Sequence, residues 1–145
     1  MKIFVTGATG FIGRNLVETF QKHGHNITIN LRQGRKSPFS SDVEEYTLGK
    51  SSIELDIEFF EKENFDGIIH LASLYLTNHK PEEIHNLIDS NIKFGAYLLE
   101  CASKSHIGWF INTGTFWQNY ENSAYSPVNL YAATKQAFET IARFY

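Results

Sequence analysis

Short apolar runs alternate along the chain with longer stretches whose apolar residues recur every three to four positions. That is the signature of strands and helices taking turns. Residues 2–6, 27–31, 45–48, 67–71 and 109–112 read as strands, and helical period covers 11–23, 53–63, 81–103 and 129 to the C-terminus. The strand runs are nearly continuously apolar rather than alternating, so the pattern predicts an α/β fold with a parallel sheet buried on both faces. Pro81 followed by Glu82 and Glu83 marks a helix start, since proline needs no N–H there and carboxylates favour the positive end of the helix dipole. Residues 33–42, with Gly34 and Pro38 among serines and charges, read as a polar loop.

The chain has 145 residues, 42% of them hydrophobic and 20% charged, enough to bury an independent core. Its 13 Lys and Arg against 16 Asp and Glu give a net charge of −3 without a basic concentration, which argues against nucleic acid or an anionic membrane as partner and favours a small molecule. A lone Cys101 excludes a disulfide framework and a cysteine metal cluster and suits a reducing compartment. With no apolar run near the roughly 20 residues that span a bilayer, and no leader before the first strand, a cytoplasmic, soluble protein is expected. The last helical pattern, Leu130, Ala133, Ala137, Phe138, Ile141 and Phe144, runs into Tyr145 with no cap and no following strand. The expectation is therefore a chain truncated after this helix.

Two motifs carry chemistry. The first, Thr6-Gly7-Ala8-Thr9-Gly10-Phe11-Ile12-Gly13, lies between the first strand and the first helix. There Gly7 permits a tight turn, Gly10 lets backbone approach a pyrophosphate and Gly13 lets helix pack on strand, while the helix N-terminus offers free N–H groups and positive dipole. The glycines fall every third residue, a different spacing from the common dinucleotide fingerprint, and no Gly-Lys-Ser/Thr follows to make a P-loop.

Through this loop the whole chain resembles the extended short-chain dehydrogenase/reductase family, the nucleotide-sugar epimerases, dehydratases and ketoreductases. The resemblance implies a Rossmann-type doubly wound sheet with a nicotinamide dinucleotide along the carboxyl ends of the strands. Gly7, Gly10 and Gly13 fall on the family's phosphate-loop positions, with Phe11 and Ile12 at the loop–helix junction. Leu71, Ala72 and Ser73 match the segment after the fourth strand that passes beside the cofactor, and Asn91 matches a family asparagine of structural role. His70 reads as a packed strand residue. The family's Asp after the third strand is replaced by Gly49-Lys50-Ser51, and Asp56, at the wrong offset, reads as a carboxylate in the first turns of a helix.

An NAD enzyme usually places a carboxylate at the end of the second strand for the adenosine ribose, whereas an arginine there accommodates a 2′-phosphate. The sequence offers no acid but Arg32, Arg35 and Lys36 within five residues. NADP is therefore expected over NAD, with Arg32 the leading contact and Arg35 the second.

The second motif is Tyr131-Ala132-Ala133-Thr134-Lys135. A spacing of four stacks the phenol and the ammonium on one helix face. A nearby cation lowers a tyrosine pKa from about 10 toward the working range, making Tyr131 a feasible acid/base. Lys135 can also bind the nicotinamide ribose. Asn129 suits the helix N-cap. By resemblance, Thr115 takes the hydroxyl-donor position at the end of the fifth strand, with Thr113 as the fallback. Phe116-Trp117 stands where sugar dehydratases carry Asp-Glu, so an epimerase or 4-ketoreductase is implied, and Phe116-Trp117-Gln118 with the basic loop after the second strand resembles reductases of CDP-linked 4-keto sugars. The expected partner is a nucleotide sugar, with no metal. A homodimer through the helices of residues 81–103 and 129–145 is also implied, unless Leu87, Phe94, Leu98 and Cys101 are core. The competing reading is a regulator or scaffold that binds NAD(P) without turnover, which would have no use for Thr115, Tyr131 and Lys135. The family's sugar-binding part falls outside these residues, so the chain alone is expected to be inactive.

Overall fold

The computed structural model describes residues 1–145, which form two compact units: residues 1–71 with 101–112, and residues 72–100 with 113–145. The first unit contains five parallel strands, β1 (Lys2–Thr6), β2 (Asn26–Asn30), β3 (Glu44–Tyr46), β4 (Gly67–His70) and β5 (Trp109–Asn112), in the order β3-β2-β1-β4-β5. Each strand lies within one or two residues of its predicted place. Alternation along β1 sends its side chains to opposite faces of the sheet. Ile3 and Val5 enter a cluster with Val17 of helix α1 (Phe11–Lys22), Ile27 and Ile29, whereas Phe4 meets Phe60 of helix α2 (Ile53–Glu63) edge-on at 4.8 Å. The sheet is thus covered on both sides, and the order reverses between β1 and β4, which places the topological switch point at their carboxyl ends.

Asp56 does more than start a helix. Fully buried, it accepts hydrogen bonds from the Tyr46 hydroxyl at 2.5 Å and the Gly49 N–H at 2.8 Å. It thereby ties α2 to the turn after β3, and burial together with this carboxylate pushes the Tyr46 hydroxyl pKa up. Cys101, in the same unit, is fully buried.

In the second unit the long helix predicted over residues 81–103 is not continuous. A 3-10 turn (Pro81–Glu83) leads into α3 (Ile84–Ile88), a π-helical turn (Asp89–Lys93) and α4 (Phe94–Lys104), which runs on into the first unit. The π turn coincides with Asn91, whose buried amide takes partners outside the helix. Helix α5 (Leu130–Ala142) is capped by Asn129, whose Oδ1 accepts the Ala132 N–H at 2.9 Å. It stops at Ala142 instead of running to Tyr145, and Phe144, predicted on its apolar stripe, is 84% exposed. Leu87, Leu98 and Phe138 are fully buried, while Phe94 is only half-buried. Gly95 is required where it stands, because a Cβ there would lie 2.4 Å from the Phe138 ring.

Candidate functional site

The glycine loop is built by backbone sterics. Gly7 has φ of 71°, a left-handed conformation that side chains resist, and its carbonyl accepts the Gly10 N–H at 3.1 Å. Any Cβ on Gly13 would fall 2.4 Å from the Gly7 carbonyl oxygen and 2.5 Å from the Ala8 Cα. α1 therefore starts hard against β1. Gly10 caps α1 without a side chain, and no acidic residue lies in its first turn, so its N-terminal charge is uncompensated. Phe11 and Ile12 are exposed, at 87% and 61%.

At the switch point, the Thr6 hydroxyl and His70 Nδ1 of β1 and β4 are hydrogen-bonded at 2.7 Å, and His70 is buried. His70 is a packed strand residue. Leu71 continues the pairing through its N–H to the Thr6 carbonyl at 3.1 Å. At the end of β5, Asn112 Oδ1 is buried with no hydrogen-bond partner, an acceptor the sequence reading did not single out. Beyond β2 the chain turns at residues 32–35, closed by the Arg35 N–H on the Arg32 carbonyl at 3.0 Å, with Gly34 at φ 76°. Arg32, Arg35 and Lys36 are all exposed, and neither guanidinium is paired with a carboxylate. Asn30 and Leu31 are occupied in holding the β3 segment, through Leu48 N–H to Asn30 Oδ1 at 3.0 Å and Leu31 N–H to the Tyr46 carbonyl at 2.8 Å.

In the second unit, Ala72 is half-buried and Ser73 exposed. The segment they open is gripped by Asn91: its Oδ1 accepts the Leu74 N–H at 2.7 Å, and its Nδ2 donates to the Leu74 carbonyl and to the Thr134 hydroxyl, each at 2.9 Å. Thr134 in turn donates to the Tyr131 carbonyl at 2.7 Å. One buried asparagine thus joins the segment after β4 to the helical turn that carries Tyr131 and Lys135. The Tyr131 ring packs edge-on against Tyr75, with centroids 5.0 Å apart. Lys135 is only 2% exposed and makes no ion pair, and burial lowers its ammonium pKa.

Thr115 caps a 3-10 turn (Phe116–Gln118) through its Oγ1, which accepts the Trp117 N–H at 3.4 Å. Its own N–H donates to Gln118 Oε1 at 2.7 Å. The sequence reading named Gln118 only as part of the run after Thr115 and gave it no structural role, although Thr-x-x-Gln is the spacing of a capping box. Thr113 follows β5 directly. No cluster of three or more His, Cys, Asp or Glu side chains forms a metal site, and no helix is long and apolar enough to cross a membrane.

Among curated relatives, the chain is 31% identical to the CDP-abequose synthase of Salmonella typhimurium over 144 residues, covering 99% of this chain and 47% of that protein. It is 29% identical to the UDP-glucose 4-epimerase of Pisum sativum over 164 residues, covering 98% and 47%. Among solved structures, the Bordetella bronchiseptica enzyme WbmG in complex with NAD superposes with a TM-score of 0.80 at 21% identity, over 99% of this chain and 49% of that one. The chain spans about half the length of the curated relatives it matches. The profile of the NAD dependent epimerase/dehydratase family matches residues 3–145, nearly the whole chain, and the protein belongs to that family.

Proposed function

We propose that residues 1–145 are the dinucleotide-binding domain of an NADP(H)-dependent nucleotide-sugar epimerase or ketoreductase, with hydride transfer at sugar C4 and Tyr131 as the acid/base. The observation that carries this reading is Lys135, a buried ammonium without a counter-charge, four residues after Tyr131. An isolated buried cation is costly unless a ligand compensates it, and the ribose hydroxyls of a nicotinamide nucleotide would do so.

The other residues fit the same group. Gly7, Gly10 and Gly13 bring the loop and α1 close against β1, and the α1 N-terminus, with no side-chain cap and no acid in its first turn, suits a pyrophosphate, with Phe11 and Ile12 beside it. Leu71, Ala72 and Ser73 supply small or backbone contacts after β4. Arg32 and Arg35, free of carboxylates, suit a 2′-phosphate. NAD is the cofactor in the WbmG structure, and the preference for NADP rests on these arginines. When bound, the nicotinamide supplies the hydride chemistry.

The chain's own groups handle the proton and the oxygen. Tyr131 Oη holds or releases the proton of the sugar hydroxyl, Lys135 stabilises the phenolate charge, and Thr115 or Thr113 donates a hydrogen bond to the sugar oxygen. The likeness to CDP-abequose synthase and UDP-glucose 4-epimerase supports a nucleotide sugar as the substrate class. Phe116-Trp117 offers no carboxylate to drive elimination, which favours epimerisation or ketoreduction. With Leu87, Leu98 and Cys101 buried within the single chain, a homodimer would have to form through the remaining faces of the helices over residues 81–103 and 129–145, and monomeric light scattering across micromolar concentrations would remove it.

The test is calorimetric titration of the chain with NADPH and then NADH, beside a thermal unfolding curve. Saturable binding that favours NADPH at least tenfold supports the assignment. A cooperative unfolding transition with no binding of either nucleotide overturns it, and equal or tighter binding of NADH overturns the role of Arg32 and Arg35.

A further inference from the structure

Gln118 is an unusual residue to find inside this fold. It is 4% exposed and sits on a three-residue 3-10 turn, where a buried amide has no structural excuse unless both its ends are satisfied. Both are. Its Oε1 accepts the Thr115 N–H at 2.7 Å, and its Nε2 donates to Glu139 Oε2 at 2.8 Å and to Gln136 Oε1 at 3.3 Å. Gln136 follows Lys135 directly, and Glu139 lies one helical turn beyond it. Gly114 keeps the approach open, since a Cβ there would lie 3.1 Å from Gln118 Oε1. The far end of the turn is held independently by the Val128 N–H on the Trp117 carbonyl at 3.0 Å.

We infer that Gln118 is a positioning residue: its buried carboxamide fixes the hydroxyl-bearing segment Thr113–Thr115 to α5 just past Lys135, so that one side chain sets the register between hydroxyl donor and acid/base helix. The functional half of this statement rests on the reading of Tyr131, Lys135 and the threonine hydroxyls given above. The chemistry is specific to an amide, because the same side chain must accept from a backbone N–H and donate to a carboxylate. A leucine leaves the Thr115 N–H and the Glu139 oxygen unpaired. A glutamate accepts from Thr115 but confronts Glu139 with a like charge, and Glu139 already has Arg143 on its other oxygen at 2.8 Å.

That polarity gives the test. The full chain is compared with Gln118→Leu, Gln118→Glu, Glu139→Gln and the double variant Gln118→Glu/Glu139→Gln. The readouts are hydrogen exchange at the Thr115 amide and the Trp117 indole NMR shift from pH 4 to pH 8. Gln118→Leu and Gln118→Glu are expected to speed Thr115 exchange at least tenfold while α5 amides before Phe138 stay protected. Gln118→Glu is also expected to make the indole shift pH-dependent, as two carboxylates come to share one proton. The double variant restores donor–acceptor pairing with the partners exchanged, and should return Thr115 exchange to within about twofold of wild type and flatten the pH response. Should Gln118→Leu fail to fold, the glutamate variant and its rescue carry the decision. A double variant no better than Gln118→Glu, or a flat pH response in the single variant, overturns the proposal. Titration of the same samples with NADPH and NADH separates the two claims: folded wild-type chain that binds neither defeats the dinucleotide reading, whereas the exchange data judge Gln118 without any nucleotide.

Discussion

The two loops that bear the motifs are held by opposite means. Between β1 and α1 the shape is made mainly by what is missing: Gly7 supplies a left-handed turn and Gly13 clears the contact between helix and strand, and the Arg14 Nε donating to the Thr9 carbonyl at 3.0 Å is the side-chain bond beside them. Between β5 and α5 the shape is made by side chains, with Thr115, Gln118, Gln136 and Glu139 joined in one polar network and Asn91 and Thr134 in another. A steric constraint tolerates no substitution but needs no partner. A polar network depends on every member being satisfied, so deleting one strands the others.

The largest effect should come from the steric loop. Gly13→Ala forces a Cβ to within 2.4 Å of backbone oxygen that cannot yield. A loss of about 3 kcal/mol is expected, seen as a Tm fall of roughly 10 °C in a thermal melt. Gly10→Ala is the internal control: its Cβ would sit 3.3 Å from the same oxygen, a distance that small shifts relieve, and it should cost under about 1 kcal/mol. Equal losses from the two would show that chain entropy rather than close approach governs the loop. Next in size is Asn91→Leu, which leaves the Leu74 N–H and carbonyl without this partner and takes away the bond that the Thr134 hydroxyl accepts. About 2–3 kcal/mol of denaturant stability should go. A variant as stable as wild type would mean that water replaces the amide at no cost.

The same contrast explains what the sequence could tell. The α/β alternation, all five strands, the glycine loop and the capping of α5 are local patterns, and they were legible because each depends on residues a few positions apart. The break in the helix over residues 81–103 was not, because the π turn coincides with Asn91, whose partners lie 17 and 43 positions away. Asp56 was read as an ordinary helix-start carboxylate for a similar reason, since its partners Tyr46 and Gly49 are brought to it by the β3 turn. Gln118 did leave a signal, the Thr-x-x-Gln spacing, but a capping box is ordinarily a surface feature and nothing local said that this one is buried.

Neither steric nor networked, the basic turn after β2 is an exposed feature, and its effect should be smaller and confined to the ligand. Arg32→Asp removes one bidentate donor and adds a repelling carboxylate, so the ratio of NADPH to NADH affinity should fall about 10- to 100-fold, given roughly 1.5–3 kcal/mol for a charged hydrogen bond. Stability should be unchanged, as Arg32 is exposed and makes no ion pair. A variant that keeps the NADPH preference would move the 2′-phosphate contact to Arg35 or remove it from this turn.

A last effect, modest in size, has the opposite sign. Lys135 is buried without a counter-ion, and its pKa is lowered by that burial, so the folded chain holds its proton less tightly than the unfolded chain does. Between the lowered folded value and the unfolded value near 10.4, the unfolded state binds more protons, and stability therefore rises with pH across that window. Below the window the full cost of burying the charge is present. Lys135→Met keeps the length of the side chain and removes the charge, so at neutral pH it should stabilise the chain by the order of 1 kcal/mol, as substitutions at functional sites often do. The advantage should shrink as pH rises through the window, while nucleotide affinity is weakened throughout. Denaturant midpoints of both proteins at pH 7 and pH 10 measure it. A methionine variant less stable than wild type at pH 7 would mean that the ammonium contributes to the fold rather than taxing it, and would deprive the glycine-loop comparison of its counterpart, a side chain kept in the second unit at a cost to stability.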